Sequence, residues 1–366
     1  MNASVKISRF SRRALLKGGA LTVGFALTGL RTDASAQGTA VAPRVLDTME
    51  VDAFLAVNGD GTVTVFCGKV DLGQGLRIAI PQIAAEELGI GVDKIKYIEG
   101  DTALTPNQGR TSGSNGIQRG GMQIRQAAAT AREALIALAA QRLKKTPEDL
   151  IATGGEIRPK AGGAGIRFAS LIGERHFDLK LDPKAPLKNP ASYTIVGKPL
   201  PRPDVALKCT GKTTFVHDFT LPSMQHARLI RPPAIGATLI SVDEASIKSV
   251  PGVKIVRIKN FLAVVAEDEW TTVRAARALR AQWSEWSGLP QQDKLVETLR
   301  SDPGITDQTL VTKGAPVSPQ PQNAKTLAAS YFWPMQSHAS LGPSCAVADV
   351  RADAATVWTA SQGMHD

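Results

Sequence analysis

Two glycine-bounded runs carry the residue types suited to holding an anionic ligand. Gly73-Gln74-Gly75 stands between a strand-like run and a run with helical spacing. Glycines let the backbone turn sharply and approach a ligand closely. The first turn of a helix offers N–H groups that have no partner within the helix, and such groups suit phosphate. Thr111-Ser112-Gly113-Ser114 adds hydroxyls and unobstructed N–H groups ahead of a second helix. Taken alone, an ordinary strand-to-helix turn and a plain polar loop are the simpler readings of these two runs. Glu86 and Glu87 follow on the first helix and read as surface or packing residues rather than as a general base. Cys67, Cys209 and Cys345 are far apart and form no CxxC pair. They are too few for a Cys-ligated zinc or iron–sulfur site within the chain, and they read as small buried hydrophobes.

The elements that must position these runs follow from periodicity. Phe54 to Val57 and Thr62 to Phe66 flank Asn58-Gly59-Asp60-Gly61 and predict a hairpin. Residues 76–89 carry Ile78, Ile83 and Leu88 at helical spacing, with Gly89 as the stop. Lys94 to Glu99 reads as a strand, Asp101 to Gly121 as a polar loop, and about Gln123 to Leu143 as a long Ala-rich helix. Residues 151–205 read as a connector. Its glycine pairs mark turns, and the prolines at 183, 186, 190, 199, 201 and 203 predict extended chain. Beyond it, Ala227 to Ile230, Val253 to Ile258 and Leu262 to Ala266 are β-like, and Glu269 to Gln282 is helix-like. Residues 288–325 read as a polar linker. From 326 onward, strand-like pieces at 345–350 and 356–359 begin a third unit. The mixture predicts an α+β, multidomain chain.

At 366 residues the chain is long enough for two or three cores. Its formal charge of +10 is concentrated at the amino end, where six Lys or Arg stand against one acid in residues 1–36. No basic run with interleaved aromatics is present, so nucleic acid is not an expected partner. A modest basic excess suits an anionic cofactor. The first 36 residues hold Arg12-Arg13, a short apolar stretch from Ala20 to Leu30, and Ala34-Ser35-Ala36. That order predicts a twin-arginine export signal and a periplasmic location. About eleven apolar residues at ~1.5 Å each fall well short of a ~30 Å hydrocarbon core.

The run from Lys69 to Gly75, then Ala84-Ala85-Glu86-Glu87-Leu88-Gly89, Gly100-Asp101-Thr102 and Thr111-Ser112-Gly113-Ser114, resembles the xanthine dehydrogenase and aldehyde oxidase family. Its position near the amino end resembles the permuted isoquinoline 1-oxidoreductase β-subunit type. Residues 206–287 resemble the family's hammerhead domain, through Thr210-Gly211-Lys212, His217-Asp218, Leu221-Pro222-Ser223-Met224, Arg231-Pro232-Pro233 and Pro251-Gly252-Val253. Residues 326–366 resemble the start of a further molybdenum-binding domain, through Gln336-Ser337-His338-Ala339, Gly342 to Asp349 and Ser361-Gln362-Gly363.

The resemblance implies a division into a signal (1–36), a permuted molybdopterin-binding segment (50–150), a connector (151–205), a hammerhead domain (206–287), a linker (288–325) and an incomplete molybdenum-binding domain (326–366). It implies molybdopterin dinucleotide with molybdenum as cofactor, the cytosine form being expected. Gly73, Gln74, Gly75, Thr111, Ser112, Gly113 and Ser114 match residues that contact it. Gln336 matches a glutamine whose amide donates to an oxygen on molybdenum, and an amide donor suits an oxygen that gathers charge. Gly342 stands where many members have Glu. His338 reads as a hydrogen-bonded structural residue. No residue of the chain is expected to ligate metal directly.

The activity implied is hydroxylation of a small N-heterocycle or aldehyde with water as the oxygen source. The electrons would leave through a separate small iron–sulfur subunit, and a c-type cytochrome as final acceptor follows by analogy. The family's general base is a glutamate late in its chain, and no segment here matches its motif. The chain is therefore expected to be incomplete and inactive in isolation. The alternatives are a non-catalytic fragment and an exported small-ligand-binding protein.

Overall fold

The computed structural model describes residues 46–173, 176–314 and 322–366. The export signal expected at 1–36 lies outside them. The chain divides into two compact units, one running to Phe219 and including Ser344–Asp366, the other Thr220–Pro343.

The first unit starts as the hairpin expected. β1 (Leu55–Val57) pairs antiparallel with β2 (Val63–Cys67), with Leu55 opposite Val65. The chain then crosses through α1 (Leu76–Leu88) to β3 (Ile95–Glu99), which lies parallel to β2 with Val63 opposite Ile95. α1 ends at Gly89, whose φ of 70° is left-handed and whose amide donates to the Ala85 carbonyl at 2.9 Å. A Cβ there would run into the Ala152 carbonyl, so glycine is required by conformation and by space.

The long helix α2 (Met122–Leu143) packs along α1. The buried faces are built from small residues, Ala84 and Ala85 on α1 and Ala127, Ala128, Ala131 and Ala139 on α2. Alanine lets two helices approach closely and is the best helix former. Ile80, Leu88, Ile124 and Leu135 fill the seam, and each such fully buried side chain contributes ~1.5–3 kcal/mol.

Three sequence expectations are corrected here. Residues 150–172, read as connector, fold as the antiparallel sheet β4 (Leu150–Thr153), β5 (Glu156–Pro159), β6 (Ile166–Arg167) and the short helix α3 (Phe168–Ile172). Ile157, Phe168 and Leu171 bury themselves in the same core as α2, and the glycine pairs are the hairpin turns. The loop expected to run to Gly121 ends earlier, because Gly116–Gly121 forms a π-turn that leads directly into α2. Residues 176–203 remain without strands or α-helix, broken by turns and one 3-10 turn at Pro190–Ser192, ahead of the one-turn helix α4 (Val205–Cys209). The last segment of this unit is the hairpin β12 (Ala346–Val350) and β13 (Ala355–Thr359). Trp358 packs against Phe219 with ring centroids 4.8 Å apart and ring planes tilted by 42°. The stretch 326–366, read as one unit, is thus divided between the two.

The second unit is a sheet ordered β7 (His226–Leu229), β10 (Phe261–Ala266), β9 (Lys254–Ile258), all antiparallel, with α5 (Glu269–Ala278) packed on it. Asp268 caps α5 by accepting from the Thr271 amide at 2.7 Å. The helix expected to reach Gln282 stops at Ala278. Arg280–Trp283 is instead β11, paired with β8 (Leu239–Asp243), a strand that periodicity did not disclose. Leu239, Leu262, Val264, Ala275 and Leu279 form this core. Within the expected linker, Leu295–Ser301 is a short helix, α6. The whole is a mixed assembly of helices and strands.

Candidate functional site

The glycine turn after β2 is held by its own side chains. The Asp71 carboxylate accepts from the amides of Gly73 (2.7 Å), Arg77 (2.9 Å) and Gly75 (3.3 Å). Burial opposes the charge on Asp71, yet these three donors hold its carboxyl below the usual range. Gln74 folds back on the same loop, its Oε1 accepting from the Leu72 amide at 2.6 Å and its Nε2 donating to the Val70 carbonyl at 2.9 Å. At the start of α1 an internal carboxylate thus takes three amides, as in the simpler reading of this run as a strand-to-helix turn.

The second turn is different. Gly109, Gly113 and Ser114 all have positive φ, at 70°, 57° and 57°. Thr111 is buried and structural, its Oγ1 accepting from the Val70 amide at 3.0 Å. Ser112, Gly113 and Ser114 are exposed. Among the described residues their amides and the two serine hydroxyls have no hydrogen-bond partner. They form a row of unused donors immediately before the π-turn and α2. π-Turns are rare in ordinary helices and occur often where a helix serves a site.

The two turns stand together. Val70, at the head of the first, is bonded to Thr111 in the second. A Cβ on Gly116 would meet Leu76 Cδ2 at 3.0 Å, so the beginnings of α1 and of the π-turn touch. A third segment joins them. The Thr111 amide donates to the Gln362 carbonyl at 2.8 Å, and Gln362 Nε2 donates to the Thr111 carbonyl at 2.7 Å. Arg110 pairs with Asp366, and His365 Nε2 lies 3.4 Å from Thr105 Oγ1. Seven of the eight residues singled out in the sequence thus lie at one end of the first unit. Gln336 belongs to the second unit, exposed in a stretch without regular structure. His338 is exposed in the same stretch, where it does not act as the hydrogen-bonded structural residue expected.

The supports of these turns had no clear sequence signal. Lys69 is 1% exposed, and its ammonium donates to the carbonyls of Arg110 (2.6 Å) and Gly109 (3.1 Å). Desolvation pushes its pKa down. Gln108 Oε1 accepts from the Gly68 amide at 2.8 Å and from Cys67 Sγ at 3.2 Å, while its Nε2 donates to Gln123 Oε1 at 2.8 Å. Arg202 arrives from a distant part of the chain and donates to the Gly73 carbonyl at 2.7 Å. Only Asp71, two residues before a glycine and followed by a helix, had a local capping pattern that sequence discloses.

Glu86 and Glu87 are anchors and are not on the surface. Glu86 accepts from the successive amides of Thr194, Ile195 and Val196 at 2.9, 2.6 and 3.0 Å. Glu87 accepts from Arg125 Nε at 2.8 Å, from Arg132 at 2.6 Å and from the Lys188 amide at 3.2 Å. Both carboxylates are consumed in strapping residues 186–198 across the helix pair. Cys67 is buried as expected, whereas Cys209 is exposed and Cys345 partly so. Among the described residues no group of three or more His, Cys, Asp or Glu could hold a metal ion.

Comparison with known proteins bears on this geometry. Residues 6–214 match the family model of the molybdopterin cofactor-binding domain. The chain is 40% identical over 326 residues to a subunit of the nicotinate dehydrogenase of Pseudomonas putida, covering 86% of this chain and 27% of that protein. It is 25% identical over 323 residues to the β-subunit of the isoquinoline 1-oxidoreductase of Brevundimonas diminuta, covering 75% of this chain and 40% of that protein. Both relatives are thus subunits of larger enzymes. Among solved structures, quinoline 2-oxidoreductase from Pseudomonas putida 86 is 27% identical over a region covering 32% of this chain and 15% of that chain, with a TM-score of 0.28. The chain spans between about a quarter and two fifths of the length of these curated relatives.

Proposed function

Because the chain belongs to the molybdopterin cofactor-binding domain family, we propose that the open turn Ser112-Gly113-Ser114, with Gly73-Gln74-Gly75 beside it, is its contact with a molybdopterin dinucleotide. The observation that carries this reading is the contrast between the two turns. One is closed by Asp71 and Gln74, and the other leaves a row of amides and hydroxyls without partners. Unused donors at the head of a long helix fit a phosphate-bearing ligand. When bound, the cofactor supplies molybdenum for two-electron oxidation. The chain's own part is to bind and orient. Ser112, Gly113 and Ser114 donate, Thr111 fixes their turn to Val70 and Gln362, and Asp71 keeps the neighbouring turn rigid.

On this reading the protein is the large-subunit portion of a molybdenum hydroxylase acting on a small N-heterocycle or aldehyde. Nicotinate is the first substrate to test, given the 40%-identical relative. Residues 206–287 serve as its hammerhead domain. The cytosine form of the cofactor, a separate iron–sulfur subunit, a cytochrome acceptor and twin-arginine export through Arg12-Arg13 complete the proposal. The test is to purify the full chain from a host that makes the cofactor and to measure pterin by the fluorescence of its oxidised product and molybdenum by mass spectrometry. Both are expected, and both fall in the double variant Ser112→Ala, Ser114→Ala. A folded chain carrying neither overturns the reading.

A further inference from the structure

The segment that follows α3 is strapped across α1 and α2 before it reaches Arg202. Its course is fixed by one face of α1. Glu86 accepts from Thr194, Ile195 and Val196, and Gln82 Nε2 donates to the carbonyls of Ile195 and Lys198, each at 3.0 Å. One turn to the side, Glu87 takes the Lys188 amide, Arg125 donates to the Lys188 carbonyl at 2.8 Å, and Arg132 reaches the Pro186 carbonyl. The chain then runs back toward the start of the same helix and delivers Arg202.

The guanidinium of Arg202 has three engagements, the loosest being the approach of one terminal nitrogen to 4.0 Å from Asp71 Oδ1. Its Nε and one terminal nitrogen grip Asp204 at 3.0 and 2.7 Å, and Lys208 Nζ reaches the same carboxylate at 2.6 Å. These cations hold the Asp204 carboxyl well below the ordinary range. The other terminal nitrogen donates to the Gly73 carbonyl at 2.7 Å and lies 3.8 Å from where a Cβ of Gly75 would be. Gly73 and Gly75 have φ of 116° and 98°, conformations that glycine adopts as one of several. Asp71 satisfies the amide side of this turn, and Arg202 satisfies a carbonyl on the other side. The fork geometry matters, because a planar guanidinium holds a carboxylate bidentately and still has a donor left for a third group.

We propose that Arg202 is a positioning residue for the Gly73-Gln74-Gly75 turn, locking it in the one conformation that receives the cofactor. The cofactor half of this inference rests on the reading given under Proposed function. The positioning half stands on the contacts alone.

The test uses the full chain with Arg202→Ala, Arg202→Lys and Lys208→Met. Hydrogen exchange read by mass spectrometry follows two segments, 71–77 and 194–196. In Arg202→Ala, exchange at the Gly73, Gly75 and Arg77 amides is expected to rise about tenfold while Thr194–Val196 stay protected. Arg202→Lys, which supplies one donor and loses the fork, is expected to recover protection only in part. Lys208→Met, which touches Asp204 but not Gly73, leaves the turn protected. Bound pterin per chain is expected to fall severalfold in Arg202→Ala and little in Lys208→Met. Should Arg202→Ala fail to fold, the comparison of Arg202→Lys with Lys208→Met decides. Unchanged exchange at 71–77 in a folded Arg202 variant overturns the positioning role. Raised exchange with undiminished pterin overturns its bearing on the cofactor. A wild-type chain without pterin that still shows the exchange difference sinks the cofactor reading and leaves the positioning role standing.

Discussion

Replacing Glu86 with Gln tests whether the strap is held by charge. Glu86 is 2% exposed and accepts three backbone N–H groups at 2.6 to 3.0 Å. A hydrogen bond to a charged acceptor contributes ~1.5–3 kcal/mol, and a neutral acceptor contributes roughly half. Gln keeps an acceptor oxygen and the side-chain shape, so three weakened bonds predict a loss of about 2–4 kcal/mol. For a unit of this size that is a fall in Tm of about 5–15 °C.

The same contacts predict a pH dependence. Burial opposes the Glu86 charge, but the amides of Ile195, Val196 and Thr194, with the Lys188 ammonium 3.9 Å away, outweigh it and depress the carboxyl below its ordinary value of 4.5. A carboxyl depressed by folding adds stability that is full above its unfolded value and is lost as pH falls through its folded value. The gap between wild type and Glu86→Gln is therefore widest near neutrality and closes at acid pH below 4.5. Calorimetry across that range, with amide exchange at 194–196, is the assay. A Tm within about 2 °C of wild type at pH 7, with no pH-dependent gap, would refute the reasoning.

Other outcomes follow from neighbouring contacts. Lys69→Met keeps the buried chain length but leaves the carbonyls of Gly109 and Arg110 without their donor, a loss of ~1–3 kcal/mol for each that stays buried, read by chemical denaturation. Gly68→Ala places a Cβ against the Pro106 carbonyl, part of the backbone, and is expected to yield little folded protein in a soluble-expression assay. Burial pushes the Cys67 thiol up to about 11 while Cys209 is exposed, so a thiol reagent at pH 8 is expected to label Cys209 in the folded chain and Cys67 only after denaturation. Asp71→Asn removes the charge that serves the Gly73, Gly75 and Arg77 amides and is expected to lower stability by ~1–2 kcal/mol in denaturant titration.

The order of local elements was legible because each had a local cause. Asn58 to Gly61 makes a turn, Gly89 stops α1, and alanines with Leu and Arg make α2 helical wherever they are packed. The sequence also marked the two glycine-bounded turns, since residues able to turn and donate are distinctive in type and spacing. It misjudged segments whose state depends on a partner. Arg280–Trp283 has helical composition, yet it is a strand because β8 is there to pair with it. The glycine pairs of 154–163 suggest loop, and only the buried face of α2 turns them into a sheet. Glu86 and Glu87 were legible only as surface or packing residues, and residues 186–198 folding over them decide for packing.

At the site the division is the same. Sequence alone supplied which residues could donate, because that is a property of each residue. Which donors were already in use was decided by folding. Asp71 fills the amides of one turn, the other stays open, and Arg202 reaches Gly73 from a distant stretch of chain. A hydrogen bond needs two groups in one place, and for residues so far apart in sequence only the tertiary structure puts them there.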